Sequence, residues 1–259
     1  MPSSRLSLAL AAVALAVVLG GFVAVQQFLA GDDVARLTLA PVATASADPS
    51  ATSDASTDPS ADPPGSTDPS AGTGTATAAE LAGTWTVADV SVVGYRVREQ
   101  LGGISALTDA VGRTSAVTGT ATLEADGTSL IVTSAAFEAD LSQLESDDGR
   151  RDNRIRSIGL ESDQFPTGSF VLAEPIEVPA AALTGTTVDV TLTGDLTIHG
   201  VARRVSIPGQ ARLTGAAIEV AGSLTFPFSD FGMTPPDVAG FVQVEDDATL
   251  ELLISLARA

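Results

Sequence analysis

Val188-Asp189-Val190-Thr191-Leu192-Thr193-Gly194-Asp195-Leu196-Thr197-Ile198, followed by His199-Gly200-Val201, decides the fold of this 259-residue chain. Successive side chains of a strand point to opposite faces, so strict alternation puts Val188, Val190, Leu192, Leu196 and Ile198 on a dry face and Asp189, Thr191, Thr193, Asp195 and Thr197 on a wet one. His199-Gly200 is a two-residue hairpin signal that sends the chain straight back at Val201. One wet face and tight returns mean antiparallel pairing, not a parallel sheet buried on both sides.

The same period runs outward from this stretch. Val117, Gly119, Ala121 and Leu123 alternate with Thr118, Thr120, Thr122 and Glu124, and Ala125-Asp126-Gly127 follows as a turn. Ile218, Val220, Gly222, Leu224 and Phe226 repeat the pattern, and Leu250, Leu252, Ile254 and Leu256 close it. About eight strands are expected, beginning near Trp85, Val117, Leu130, Ser169, Val188, Val205, Ile218 and Val242. Gly94, Gly119, Gly194 and Gly222 interrupt them and permit bends. Long bending strands whose dry faces all need cover predict an all-β, closed antiparallel barrel; a two-sheet sandwich is the alternative. One short helix is expected over Arg150 to Leu160.

The folded unit is residues 80–259, and two other segments precede it. Residues 1–30 are an expected transmembrane anchor. No charge occurs between Arg5 and Asp32, and Leu6 to Val25 is nearly all Leu, Ala and Val. About 20 such residues at about 1.5 Å each span a hydrocarbon core of about 30 Å. The positive flank comes first, which places the N-terminus in the cytoplasm and the later chain outside, a single-pass cell-membrane protein. A cleaved signal peptide is the rival reading. Residues 31–79 read as a disordered linker. Ser-Thr-Asp-Pro-Ser-Ala occurs at 56–61 and again at 66–71, and such composition buries too little apolar surface to offset ordering. As a coil it would extend about 40 Å.

Composition excludes several functions. The net charge is −19, with all 13 basic residues arginine. An acidic chain of this kind is a poor ligand for nucleic-acid phosphates, so no nucleic-acid partner is expected. The absence of Cys and a single His leave no thiol nucleophile, thiolate metal site or two-imidazole site, and neither cofactor nor metal is expected. There is no Gly-x-Ser-x-Gly elbow, P-loop, dinucleotide fingerprint or His-Glu-x-x-His, so no enzyme is expected; an enzyme using Asp152 or Asp230 would need a converging second carboxylate. His199 reads as a polar turn residue. From Glu80 onward there are 25 acidic residues and 11 Arg, so Arg150, Arg151, Arg154 and Arg156 stand out within seven residues. They are either a solvated helix face or a site for a phosphate-like head group. The aromatic residues, if the barrel is not filled, are natural wall residues.

Four stretches resemble one family. They are Trp85-Thr86-Val87 through Val93-Gly94-Tyr95-Arg96-Val97; Arg151-Asp152-Asn153-Arg154-Ile155-Arg156 followed by Phe165-Pro166 and Phe170; Gly194 to Val201; and Phe228-Ser229-Asp230-Phe231-Gly232-Met233. In order and spacing they resemble the YceI-like family of exported polyisoprenoid-binding proteins over 82–258. Ala88-Asp89-Val90-Ser91 and Arg154 depart from the family pattern, which has a His in each place. The anchor and Asp-Pro-Ser linker resemble actinobacterial relatives. The resemblance implies an extended, eight-stranded, lipocalin-like barrel whose channel holds a long isoprenoid chain. The residues expected to bind it are Trp85, Tyr95, Phe137, Arg151, Arg154, Phe165, Phe170, Leu196, Ile198, Phe228 and Phe231. The expected function is to bind, and carry or store, an isoprenoid or similar lipid outside the cytoplasmic membrane. A stalked structural or interaction module of the cell envelope is the alternative, and it would have a filled interior.

Overall fold

The computed structural model describes residues 34–40, 76–101, 107–214, 217–237 and 242–259. The expected transmembrane anchor (1–30) and most of the expected linker (41–75) lie outside the described residues. Among the described residues no helix is long and apolar enough to cross a membrane.

The elements are α1 (Ala78–Leu81), β1 (Gly83–Val87), β2 (Val92–Leu101), β3 (Leu107–Thr114), β4 (Val117–Asp126), β5 (Ser129–Asp140), α2 (Gly149–Arg154), β6 (Thr167–Leu172), β7 (Ile176–Val178), β8 (Val188–Ile198), β9 (Val201–Thr214), β10 (Ala217–Pro227) and β11 (Val242–Arg258). The fold is all-β, and every strand pairing is antiparallel. Strands pair in the order β1-β4-β5-β6-β8-β9-β10-β11, and β11 returns to β1, so eight strands close a barrel. The sandwich alternative is thereby set aside. Two-residue turns work as their sequences require: His199 (φ 53°) and Gly200 (φ 72°) both take the left-handed conformation that a primed hairpin turn needs.

Closure depends on β11, a strand of 17 residues. One edge pairs with β10 over eleven residues, from Asp247 to Ala257. The other edge carries two strands in succession: Val242 to Leu253 pair with β2, and Leu256 to Arg258 pair with β1. Between them the chain breaks at Ala88–Ser91. Ser91, 1% exposed, satisfies both backbone groups of Ser255 there: its hydroxyl accepts from Ser255 N at 3.0 Å and donates to Ser255 O at 3.2 Å. The break lets β2 splay outward with β3 while β1 joins β4.

β2, β3 and β7 were not among the strands expected as separate elements, and β9 begins at Val201 rather than Val205. The expected helix is a short α-helix, α2, whose last turn widens into a π-turn over Ile155–Gly159. One end of the barrel is plugged. α1, capped by the Thr77 side chain, sets Leu81 beside Trp85, and the Trp85 indole N–H donates to Leu81 O at 2.9 Å. Arg258 holds the same helix by donating to the Ala82 carbonyl at 2.8 Å.

A further segment lies on the outside. Val34–Ala40, within the stretch expected to be disordered, runs extended against the wall. Arg96 donates to Val34 O at 2.7 Å, Arg113 to Ala35 O, and Arg212 to Ala40 O at 2.5 Å. Arg96 and Glu251 alternate with cavity-facing Tyr95, Val97, Leu250 and Leu252, so both point outward; yet Arg96 is 5% exposed and Glu251 2%. They pair at 2.7 Å, and Asp109 accepts from Arg96 at 2.8 Å.

Gly194 marks a close approach between wall strands. A Cβ there would lie 2.4 Å from Val171 O and 2.5 Å from the Phe170 ring. Gly149, by contrast, has open space. Overpacking a close contact typically destabilises by about 1–3 kcal/mol. Gly194→Ala is therefore expected to lower unfolding stability by about 2 kcal/mol in a urea titration, with Gly149→Ala within about 0.5 kcal/mol of the parent.

Candidate ligand cavity

Inward-facing residues of the eight wall strands do not meet across the axis. They leave a cavity of about 630 Å³, within the range of small-molecule sites. Its wall is aliphatic and aromatic over most of its length, supplied by alternate positions such as Val190, Leu192, Leu196 and Ile198 of β8. Small side chains, Ala121 and Ala135 among them, keep it open.

The two ends differ. At the plugged end the lining includes Leu81 and Leu183, each 8% exposed. At the other end the wall is completed by α2 and the turns around it, and the lining includes the exposed residues Asp148 and Arg150 together with half-buried Arg151 and Arg154. Exposed lining residues make this end the mouth. α2 begins there because Asp148 caps it, accepting from Arg150 N at 2.8 Å, and the Asp152 carboxylate takes the hydroxyl of Ser146 at 2.6 Å. Arg151 then reaches inward to Glu99 of β2 at 2.7 Å and also pairs with Asp147. The Arg151 charge is committed to these carboxylates. Arg150 and Arg154 supply positive charge at the rim.

Behind that pair stands Tyr95. Its ring lies where a Cβ on Gly112 would be, 2.3 Å from the ring edge, so β3 needs glycine opposite it. The phenolic oxygen is buried and has no hydrogen-bond partner. Burial pushes its pKa well above the ordinary value, because phenolate would lose its hydration; Arg151 opposes this and nearby carboxylates reinforce it. The wall therefore offers a neutral hydroxyl near the mouth and apolar surface beyond it.

Of the residues expected to bind ligand, Tyr95, Phe137, Arg151, Arg154, Phe170, Leu196, Ile198 and Phe228 line this one cavity. Three do not. Trp85 is 2% exposed and belongs to the plug. Phe165 packs on His199 with ring centroids 4.4 Å apart. Phe231 is 1% exposed, edge-on to Phe226 at 4.8 Å. The last two sit in a latch at the mouth end: His199 Nε2 is 3.0 Å from Glu161, and Nδ1 is 3.3 Å from Phe231 O. The latch joins the β8–β9 turn, the chain after α2 and the loop after β10. Arg150, from the arginine cluster, also lines the cavity, and so does Glu99, which was not expected. The parity of β2, with Tyr95, Val97 and Glu99 on one face, carries the signal for Glu99.

The model of the YceI-like domain matches residues 85–256. The chain belongs to the YceI-like family. Among solved structures it is similar to BcnA of Burkholderia cenocepacia, at 18% identity and a TM-score of 0.49, covering 65% of this chain and 98% of that one. It is also similar to a polyisoprenoid binding domain from Saccharophagus degradans implicated in plant cell wall breakdown, at 16% identity and 0.49, covering 69% and 99%. The YCEI protein of Campylobacter jejuni is matched at 16% identity and 0.41, covering 54% and 80%. No curated protein matches.

Tyr95 is the only tyrosine of the chain, so an alkaline absorbance titration reads it alone. Below about pH 10 the phenol is protonated both folded and unfolded and contributes no pH dependence. Above that, the unfolded chain ionises while the folded one keeps its proton, so stability falls with rising pH by up to about 1.4 kcal/mol per pH unit. The expected titration shows no phenolate signal at pH 11 in the folded protein and a full one in denaturant. A folded-state midpoint near 10 would contradict the buried, unpartnered hydroxyl.

Proposed function

We propose that this protein binds a long-chain lipid of the isoprenoid class in its barrel, carrying or storing it without chemical conversion, on the outer side of the cytoplasmic membrane. The observation that carries the reading is the cavity itself: about 630 Å³, apolar through the barrel, with Arg150, Arg151 and Arg154 lining its mouth. An apolar tail that buries about 300 Å² there gains roughly 7 kcal/mol at about 25 cal/mol per Å². Part of that gain offsets the lost freedom of the tail. A polar head remains at the mouth, where Arg150 and Arg154 favour an anionic or phosphate-bearing group. Family membership makes isoprenoids the first lipid class to test. The charge-free run between Arg5 and Asp32 supports attachment to the membrane, with the barrel outside.

A purely structural module would gain nothing from an unfilled core, since filling it would add dispersion contacts and stability.

Native mass spectrometry of the purified protein, with lipid extraction, tests the proposal. A co-purifying lipid is expected at near-stoichiometric level. Ala135→Phe places a ring in the cavity and is expected to lower retained lipid at least tenfold while circular dichroism stays unchanged. A chain that is reproducibly empty, and that takes up no polyprenyl lipid from vesicles, would refute it.

A further inference from the structure

Val34–Ala40 has a direction on the barrel, and strand register gives it. Arg96, which holds Val34, stands opposite Thr249 of β11. Arg212, which holds Ala40, stands opposite Glu219, and Glu219 stands opposite Ser255. β11 begins at the mouth end and finishes at the plugged end. The segment therefore crosses the outer wall from the level of Thr249 toward that of Ser255, away from the mouth. Val34 is thus the end of the segment nearer the mouth.

The contact is built rather than incidental. Leu37 and Leu39 are half-buried while Arg36 and Thr38 are exposed, the alternation of an extended strap lying on a surface. Three arginines donate to its carbonyls, and Arg36 reaches Glu251 at 3.7 Å. Residues 31 to 33 alone separate Val34 from the end of the expected anchor at residue 30, a span of four Cα steps. They extend at most about 14 Å. With the strap docked, the reach to the barrel is counted from Val34 and not from Glu80.

The mouth carries the complementary chemistry. Ile158, in the turn after α2, is 61% exposed, and Leu107, at the start of β3, is 39% exposed. Arg150 is exposed beside them on α2. Of the carboxylates around α2, Asp148 caps the helix and Asp147 pairs with Arg151, while Glu245, Asp246 and Asp247 at the start of β11 are exposed. Exposed apolar side chains with arginine suit an interfacial contact with lipid head groups.

We propose that the strap Val34–Ala40 holds the barrel directly against the membrane with its mouth turned to the bilayer surface. A lipid tail then passes between bilayer and cavity without crossing water. This rests on the lipid-binding reading above, and replaces a stalk of about 40 Å with a tether of about 14 Å.

The chain has no cysteine, so single-cysteine variants of the full chain label cleanly. Ser157→Cys places a fluorescent donor at the mouth, and Thr128→Cys places one in the β4–β5 turn at the opposite end, each in lipid nanodiscs of phosphatidylglycerol and phosphatidylcholine carrying an acceptor lipid. Energy transfer is expected to be at least twofold greater from residue 157 than from residue 128. Replacing 34–40 by Gly and Ser at constant length is expected to bring the two to the same low value. Equal transfer in the parent, unchanged transfer after strap replacement, or a chain that does not stay with the disc would overturn the proposal. Lipid content measured on the same samples separates the two readings: an empty but mouth-down barrel removes the lipid function alone, and a loaded barrel without orientation removes the docking alone.

Discussion

Closure of the sheet through β11 is the constraint on which the rest of this molecule depends. An open eight-stranded sheet would expose two rows of unpaired backbone groups and one long dry face. β11 removes the problem by pairing along its full length, with β10 on one edge and with β2 and then β1 on the other. The Ser91–Ser255 exchange sits where that second edge changes partner. Without it, the Ser255 N–H would be buried and unsatisfied at the joint, at a cost of about 1–3 kcal/mol, while Ala88 N–H would still donate to Ser255 O at 2.8 Å. Because the wall is held by its own ladder, the interior is free of the usual duty of filling a core.

That freedom explains why binding chemistry is concentrated at one end. The ladder leaves a splayed corner where β2 and β3 diverge from β1 and β4, and a helix must cover it. α2 does so through Arg151 and Glu99, a partly buried ion pair whose desolvation makes it a weak source of net stability. Its value is positional: it fixes α2 across the opening and leaves Arg150 and Arg154 facing the cavity's entrance. The His199–Glu161 latch fixes the other side of the same opening.

Most of the barrel was legible because wet and dry faces alternate along β4, β8, β10 and β11, whose outer positions are mostly Thr, Asp, Glu and Ser, with Ala221, Leu253 and Ala257 among the exceptions. β3 was not. Its inward residues are Ala110 and Gly112, small because Tyr95 needs the space, and its outward residues include Val111, buried under the strap. The usual polarity contrast is absent from both faces, so period 2 carries no signal. The same reasoning covers the site. Phe137, Phe170 and Phe228 could be taken as wall residues by type, whereas Trp85, Phe165 and Phe231 are aromatic for the plug and the latch, and only contacts between distant strands separate the two groups. Leu37 and Leu39 alternate correctly, but two leucines in a long polar stretch do not reveal that three arginines on other strands await the carbonyls of Val34, Ala35 and Ala40.

Those arginines expose the logic of the outer wall. An ion pair as buried as Arg96–Glu251 contributes little by itself, since the attraction is largely spent against lost hydration. Its energetic sensitivity lies in what covers it. With the strap in place, Arg96 has Glu251, Asp109 and a carbonyl as partners, and a guanidinium's donors are well used. With the strap away, water must re-enter a site shaped for a peptide. A hydrophobic groove would hold many extended segments equally well, whereas a row of fixed donors at the spacing of Val34, Ala35 and Ala40 accepts a backbone in one register and one direction. Charged residues on the outer wall thus fix the direction of the segment where apolar packing alone would not.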